Sequence, residues 1–242
     1  MIEFKQVTKS FGDRKVLDQV TFKVARGEIV FIIGKSGVGK SVLLKNIVGL
    51  LRPDQGQIWV EKEEVSHLDE QGWFRIRRMC GMVFQNPALL DSLTVFENIA
   101  FGLRAHRFYS SEAELEKKVR DMLTLVHLGP EIVSRYPGEL SFGMQKRASI
   151  ARTLVLRPAY VLFDEPTTGL DPIVTYSINQ LIQELSHRLR VSSLVVSHDM
   201  HCALEIADRI LMLHEGRVVM EGTPAQVLKS EVPMVREFLS RC

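Results

Sequence analysis

The sequence predicts an α/β protein with a parallel core sheet, an N-terminal antiparallel β-subdomain and an inserted α-helical subdomain. A continuously apolar run at Ile29–Ile33 is typical of a strand that is buried on both faces of a parallel sheet. Neighbouring runs alternate between apolar and polar residues, which is typical of half-exposed antiparallel strands. Residues 86–157 instead carry apolar residues at helical spacing. A chain of 242 residues has room for one such domain.

The first 85 residues are predicted to form the antiparallel subdomain and the start of the core. Alternation predicts half-exposed strands at Ile2–Phe4 and Val20–Val24, and Gly56–Glu61 extends the antiparallel part. The buried strand Ile29–Ile33 ends at a glycine-rich loop, and helical spacing over residues 41–48 follows. Strand, glycine loop and helix are therefore expected in this order.

Two helices are predicted within residues 86–157. Ser111 and Glu114 have the spacing of a capping box, in which each side chain accepts a hydrogen bond from the other residue's backbone N–H. A second helix is predicted from Ser141 to Leu156. This segment is therefore expected to be the inserted helical subdomain.

After the helical segment the α/β pattern resumes. Apolar runs at Tyr160–Phe163 and Ser193–Val196 predict two more buried strands, and a helix that begins at Pro172 separates them. A last hairpin is expected to turn at Glu215-Gly216.

The chain is thereby divided into three parts within a single domain, residues 1–242. Residues 1–85 and 158–223 form the α/β core with its antiparallel subdomain, and residues 86–157 form the helical subdomain. Residues 224–242 carry spaced apolar residues that predict a helical cap on the core. Contact with a regulator or with an opposite subunit is the alternative for this last segment.

Composition excludes several classes of protein. The 31 Lys and Arg residues nearly balance the 29 Asp and Glu residues, so the chain has no broad positive field and no nucleic-acid partner is expected. Cys80, Cys202 and Cys242 are isolated, which fits neither a zinc site nor a disulfide framework and predicts a reducing compartment. The sequence shows no signal peptide and no apolar run long enough to span a bilayer. We therefore expect a cytoplasmic chain whose membrane role, if any, depends on a partner.

The glycine-rich loop has the spacing G-x-x-x-x-G-K-[ST]. In this motif the glycines let backbone N–H groups surround phosphates, and the following helix N-terminus adds positive potential. Lys40 is expected to neutralise the β and γ phosphates, and the Ser41 hydroxyl to bind Mg²⁺. The motif predicts a P-loop NTPase core of RecA-like type with ATP and Mg²⁺ as cofactors. The residues predicted to bind nucleotide here are Gly34, Lys35, Ser36, Gly37, Val38, Gly39, Lys40 and Ser41.

Polar side chains follow three of the predicted strands. Asp164 and Glu165 end one strand, at the edge of a parallel sheet where ligands bind. Asp164 is expected to hold Mg²⁺ through its hydration shell, and Glu165 to polarise the attacking water. His198 follows the next strand and is expected to hydrogen-bond the γ phosphate or the water. Gln85 ends a third strand, where it could contact the metal or the water.

Taken together, these motifs resemble those of the nucleotide-binding subunit of ABC transporters, across essentially the whole chain. The positions resemble the Walker A, Q-loop, signature, Walker B, D-loop and switch-histidine motifs. Within that family, Met144, Asp171–Ile173 and Val95–Ile99 resemble the ATPases of Mla-type, MCE-associated lipid transport systems. The residues that carry the family resemblance are 34–41, Gln85, Leu140–Met144, Asp164-Glu165, Gly169–Asp171 and His198.

The resemblance implies a head-to-tail dimer that sandwiches two ATP molecules, each between the P-loop of one subunit and the signature of the other. Ser141 and Gly143 of the signature, and Asp171 of the D-loop, would then also bind nucleotide. It further implies a transmembrane permease as partner, with the chain on the cytoplasmic face of the inner membrane. An MCE-domain lipid-binding protein and a phospholipid or other hydrophobic substrate follow from the narrower resemblance.

Alternative functions stay open at this point. An importer ATPase for a polar nutrient has the same motifs. A soluble ABC ATPase that acts on nucleic acid or ribosomes is disfavoured by the balanced charge. A P-loop kinase would need a phosphoacceptor site, for which the sequence offers no candidate.

Phe142 and Phe11 are two aromatic residues whose roles the motifs leave open. Phe142 stands where the family usually has the first signature glycine, so either this position does not need a positive φ or the site is weakened. We expect activity to survive, because Ser141 and Gly143 remain. Phe11 is either an adenine-stacking residue or a core phenylalanine.

Overall fold

Two β-sheets lie at the centre of the computed structural model, which describes residues 1–240. One is antiparallel with strand order β2-β1-β4-β5, and the other has the order β10-β9-β3-β8-β7-β6. The strands are β1 (Ile2–Phe11), β2 (Arg14–Val24), β3 (Ile29–Ile33), β4 (Gln55–Val60), β5 (Glu63–Glu64), β6 (Cys80–Val83), β7 (Tyr160–Asp164), β8 (Ser192–Ser197), β9 (Arg209–His214) and β10 (Arg217–Gly222).

Helices connect and cover the sheets. Three of them, α3 to α5, follow one another between β6 and β7, where the helical segment is expected. The helices are α1 (Lys40–Ile47), α2 (Glu70–Met79), α3 (Val95–His106), α4 (Glu112–Leu125), α5 (Phe142–Leu154), α6 (Pro172–Leu189), α7 (Met200–Ile206), α8 (Pro224–Leu228) and α9 (Pro233–Leu239). This architecture confirms the predicted fold class.

The larger sheet is parallel from β6 to β9 and has one antiparallel edge strand, β10. All five residues of β3 are buried. Val30 and Ile32 pack in a core cluster with residues of the antiparallel sheet such as Phe4. Phe31, on the opposite face, packs in a second cluster with Ile182 of α6. Because both faces are covered, β3 is continuously apolar, as the sequence indicated.

Some element bounds differ from the sequence prediction. β1 and β2 are longer than predicted because their pairing contains register shifts between Phe4 and Ser10, which interrupt the alternation. Helices α3 and α7 were not predicted, and neither was α2. Helix α2 buries Trp73 and Ile76, and the Asp69 carboxylate caps its first turn by accepting from the Gly72 N–H at 2.7 Å.

The predicted capping box at Ser111 is only half right. The Ser111 hydroxyl does accept from the Glu114 N–H. The Glu114 carboxylate, however, accepts from both the N–H and the hydroxyl of Ser110, one residue earlier. Two donors on Ser110 outcompete the single N–H of Ser111. These bonds, with Lys118 alongside, hold the pKa of Glu114 at about 2.

The C-terminal segment forms two short helices instead of one. Pro224 and Pro233 each begin a helix, and both Val227 and Val235 are buried against the core. Cys242, at the end of the predicted segment, lies outside the described residues. Among residues 1–240, no helix has the length and apolar character that crossing a bilayer requires.

Candidate active site

The glycine-rich loop lies between β3 and α1, as predicted. Gly39 has a φ of 108°, and a Cβ at this position would lie 2.8 Å from the Val16 carbonyl oxygen. Only glycine combines this conformation with so close an approach. The Lys40 ammonium donates to the Gly34 and Lys35 carbonyls at 2.7 and 3.1 Å, which holds the loop in a closed turn.

Asp164 is the last residue of β7, and its carboxylate meets the P-loop helix. The Ser41 hydroxyl donates to Asp164 Oδ1 at 2.6 Å. A hydroxyl and a carboxylate are the oxygen ligands that Mg²⁺ prefers, and Mg²⁺ usually completes its shell with water and substrate phosphate. Residues 1–240 contain no group of three or more His, Cys, Asp or Glu side chains that could hold a metal. The donor set therefore fits Mg²⁺.

Glu165 occupies a strained turn directly after β7. Its φ is 47°, in the left-handed region that residues other than glycine rarely adopt, and its N–H donates to the Val196 carbonyl at 2.9 Å. The turn directs the carboxylate to two partners: Lys40 Nζ lies 3.2 Å from Oε1, and His198 Nδ1 lies 2.7 Å from Oε2. The Thr168 hydroxyl also donates to Oε2, at 3.2 Å.

These groups line a cleft of about 400 Å³. Phe11 is 48% exposed and lines the cleft, so it is not a core phenylalanine. Arg14 also lines it and donates to the Gly37 carbonyl at 3.2 Å, a contact that the sequence did not predict. The cleft brings together the following predicted site residues: Phe11, Ser36, Gly37, Gly39, Lys40, Ser41, Gln85, Glu165 and His198.

Three other P-loop residues lie beside this cleft. Lys35 and Val38 line a neighbouring cavity of about 380 Å³. Gly34 packs against β9, where a Cβ would lie 2.4 Å from the Leu213 carbonyl oxygen. These three residues therefore lie outside the cleft, and Gly34 packs closely against β9.

The signature and D-loop residues do not line the cleft. Ser141 caps α5 by accepting from the Met144 N–H at 3.3 Å. Asp171 caps α6 by accepting from the N–H groups of residues 173 and 174 at 3.0 Å. A Cβ on Gly143 would lie 2.9 Å from Val174 Cγ1, so the starts of these two helices pack against each other. The chain therefore separates its predicted nucleotide-binding residues into two groups.

Phe142 does not require the backbone freedom of glycine. It is the first residue of α5 and does not have a positive φ. Of the two alternatives, the first is therefore the one that the backbone supports: position 142 does not need a positive φ. The ring is 39% exposed and lies 5.6 Å from Lys146 Nζ, one turn further along the helix.

Sequence reasoning missed Lys146, which is fully buried in α5. Its ammonium donates to the carbonyls of Phe84, at 3.3 Å, and Gln85. Burial lowers the pKa of Lys146 to about 8, although the nearby Asp164 carboxylate acts in the opposite direction. The sequence signal for a buried lysine here is its position on the face of α5 that carries the buried residues.

Comparison with known families decides what kind of protein carries this site. Residues 17–168, well over half of the chain, match the family model for the ABC transporter. The chain belongs to the ABC transporter family. Members share the ATPase cassette, and this cassette is accordingly an ABC ATPase.

Curated relatives of the cassette name different transported substrates. "Probable ribonucleotide transport ATP-binding protein mkl" of Mycobacterium leprae is 39% identical over 239 residues, which cover 99% of this chain and 68% of the relative. "Methionine import ATP-binding protein MetN" of Carboxydothermus hydrogenoformans is 40% identical over 232 residues, 95% of this chain and 68% of the relative. "Intermembrane phospholipid transport system ATP-binding protein MlaF" of Haemophilus influenzae is 38% identical over 239 residues, which cover 99% of this chain and 90% of the relative.

The cassette thus spans about two thirds of the length of the mkl and MetN proteins. Because the three identities are nearly equal, the narrower resemblance to Mla-type ATPases is not confirmed. The assignment to ABC transporters is confirmed.

Two solved structures share the fold. The ATP-binding cassette MJ0796, solved as a dimer in a post-hydrolysis state with ADP and Pi, superposes with a TM-score of 0.84 at 33% identity, covering 93% of this chain and 99% of the other. CbiO1 from Clostridium perfringens is part of the ABC transporter complex cbiONQ. It superposes with a TM-score of 0.86 at 28% identity, covering 99% of this chain and 98% of the other.

Proposed function

We propose that the cassette hydrolyses ATP between two head-to-tail copies of itself and thereby drives a separate transmembrane permease. The observation that carries this proposal is the division of the site: the cleft holds a P-loop, a carboxylate base and a histidine, whereas the signature helix begins outside it. A second copy would supply the missing half.

The cleft residues have distinct parts in hydrolysis. Lys40 and the N-terminal amides of α1 bind the β and γ phosphates of ATP. Ser41, Asp164 and Gln85 would hold Mg²⁺, which when bound would neutralise negative charge on the phosphates. Glu165 accepts a proton from the attacking water.

His198 and Phe11 complete the proposed cleft. His198 is hydrogen-bonded to Glu165, which holds the carboxylate in place, and its exposed ring can reach the γ phosphate. Phe11 offers an exposed aromatic face for stacking on adenine.

The signature half is suited to bind the γ phosphate of an ATP held by the other copy. Ser141 is exposed, and the N-terminus of α5 presents backbone N–H groups and positive potential to an anion. Asp171 of the D-loop, which caps the adjacent helix, would face the same interface. The dimeric MJ0796 structure with ADP and Pi supports this arrangement.

Mixing two inactive variants tests the head-to-tail dimer. Lys40→Ala removes the phosphate-binding ammonium, and Ser141→Glu places a negative charge where the partner's γ phosphate would lie. Each variant alone is expected to retain no more than about 1% of the wild-type ATPase rate. In an equal mixture, half of the dimers are mixed and each contains one intact sandwich, so about a quarter of the wild-type ATPase rate should return. A mixture as inactive as its components would contradict the shared site.

The permease, the location and the substrate form the finer part of the proposal. We place the cassette on the cytoplasmic face of the inner membrane. The likeness to MlaF, which is named for intermembrane phospholipid transport, supports a phospholipid or other hydrophobic substrate. We propose an MCE-domain protein as a further partner on the motif resemblance of Met144, Asp171–Ile173 and Val95–Ile99. The equally similar MetN favours a polar nutrient instead. Copurification with an integral membrane protein tests the permease. Stimulation of the purified complex by phospholipid vesicles, but not by methionine, is the expected result for the substrate.

A further inference from the structure

We propose that Lys146 is a positioning residue for ATP hydrolysis, whose buried ammonium fixes the backbone of Phe84 and Gln85 so that Gln85 stays at the cleft. The inference rests on the proposed function, because it concerns the placement of a residue beside the reacting phosphate. It also explains Phe142, the unusual residue of the signature, as an aromatic contact of the Lys146 ammonium.

The burial of Lys146 demands polar partners. Taking an ammonium out of water is strongly unfavourable unless hydrogen bonds compensate for the lost hydration. The hydrogen bonds of this ammonium go to the carbonyls of Phe84 and Gln85, while the Asp164 carboxylate acts on it through its charge. Any displacement of these carbonyls would leave a buried charge unsatisfied. The lysine and the loop are therefore mutually fixed.

The loop itself depends on α5 for its position. Phe84 and Gln85 are exposed and follow the end of β6. A second cation of α5, Arg152, donates to the Ala88 carbonyl at 2.8 Å, three residues beyond Gln85. Helix α5 thus contacts this loop through Lys146 and through Arg152. Only the Lys146 contact reaches Gln85, the loop residue that lines the cleft.

Phe142 covers the ammonium from the signature end of the helix. Its ring lies 5.6 Å from Lys146 Nζ, within the range at which an aromatic face attracts a cation. The same ring lies 3.9 Å from the position that a Cβ on Gly169 of the D-loop would occupy. A glycine at position 142 would supply neither contact. The signature, D-loop and Gln85 loop are therefore linked through one aromatic ring and one ammonium.

Lys146→Met tests the inference, because methionine has a similar length and no charge. We expect kcat for ATP hydrolysis to fall about 10-fold to 100-fold, the cost of misplacing a group at a reacting centre. The dissociation constant for ATP without Mg²⁺ should change less than about twofold, because Lys146 does not line the cleft. The control is Lys117→Met on the exposed surface of α4, which should leave kcat unchanged.

A double-mutant cycle separates positioning from a structural role. If Lys146 acts through Gln85, then Lys146→Met should lower kcat in the wild-type background but hardly at all in a Gln85→Ala background. An equal loss in both backgrounds, or an unchanged kcat in the single variant, would overturn the inference. If Lys146→Met does not fold, Phe142→Leu replaces it in the cycle, with an expected loss of about threefold that must also vanish with Gln85→Ala.

A single ATPase assay of two variants distinguishes an error about Lys146 from an error about the proposed function. Wild-type turnover and the Glu165→Gln variant are measured in the same assay. If Glu165→Gln hydrolyses ATP at the wild-type rate, the proposed function is wrong. If Glu165→Gln is inactive and Lys146→Met is fully active, only the positioning role of Lys146 is wrong.

Discussion

The P-loop side and the signature side of the cassette use the same structural device in opposite ways. Each presents the N-terminus of a helix, where free N–H groups and the helix dipole attract an anion. At α1 the N-cap is Gly39, which has no side chain to occupy these N–H groups. At α5 the N-cap is Ser141, whose hydroxyl already accepts from the Met144 N–H. The N–H groups at the start of α1 therefore have no capping side chain and are open to phosphate. At the start of α5, one N–H group is already hydrogen-bonded to the Ser141 hydroxyl.

The two sides also differ in how their functional groups are connected. On the P-loop side, Lys40, Glu165 and His198 form a continuous chain of contacts, and Ser41 bonds Asp164. The Ser141 side chain on the signature side forms only the bond that caps its own helix, among the hydrogen bonds described for residues 1–240. The P-loop half is thus preorganised within one copy, whereas the signature half is expected to acquire its function at an interface.

The largest expected effect is on the P-loop side. Glu165→Gln keeps the shape of the side chain but removes the base, so kcat should fall about 10²-fold to 10⁴-fold while ATP still binds. Phosphate release measures the first effect and equilibrium binding of a fluorescent ATP analogue the second. Near-normal hydrolysis would remove Glu165 from its proposed role.

A smaller but still large effect is expected on the signature side. Ser141→Glu should lower kcat about 100-fold, because an added charge opposes the phosphate that this helix end is proposed to stabilise. Affinity for ATP at low protein concentration should be unaffected, since Ser141 lies outside the cleft of its own copy. Loss of ATP affinity in the dilute protein would show that the two halves are not separable as described.

Phe142→Gly gives a test of moderate size. The variant restores the residue that the family usually has, but the backbone here does not have a positive φ and the ring covers Lys146. We therefore expect kcat to fall a few-fold instead of rising. Steady-state ATPase assays suffice. A large gain in rate would mean that Phe142 weakens the site.

The smallest effect concerns stability and pH. Because burial lowers the pKa of Lys146 to about 8 from 10.5, the folded protein releases a proton between these pH values that the unfolded chain retains. The free energy of unfolding of the wild type, relative to Lys146→Met, should therefore rise with pH across that window and be flat below pH 8. Denaturant unfolding of both proteins measures the difference. A flat difference throughout would contradict the lowered pKa.

Much of the fold could be predicted because single features determine it. The continuous apolar run defined β3 to the residue, and Pro172 marked the start of α6. The P-loop motif and the strand-end carboxylates located the cleft for the same reason, since spacing and strand ends are visible in one dimension.

What could not be predicted depends on contacts between distant segments. Lys146 meets the carbonyl of Gln85, 61 residues away, and nothing in the local pattern of α5 indicates this partner. The full length of β1 and β2 was not predicted, because the register shifts that interrupt their alternation arise from pairing. The approach of Val174 to Gly143 likewise appears only once α5 and α6 are packed.

The P-loop is also tied to the far end of the chain. The Lys35 ammonium lies 3.2 Å from the Glu237 carboxylate in α9, 202 residues along the sequence and beyond the segment that matches the family. Both side chains are substantially exposed, so dissolved salt weakens their attraction. Ionic strength thereby becomes a variable that acts on the nucleotide loop through the last helix, and shortening the chain before residue 237 would change the electrostatic surroundings of the loop.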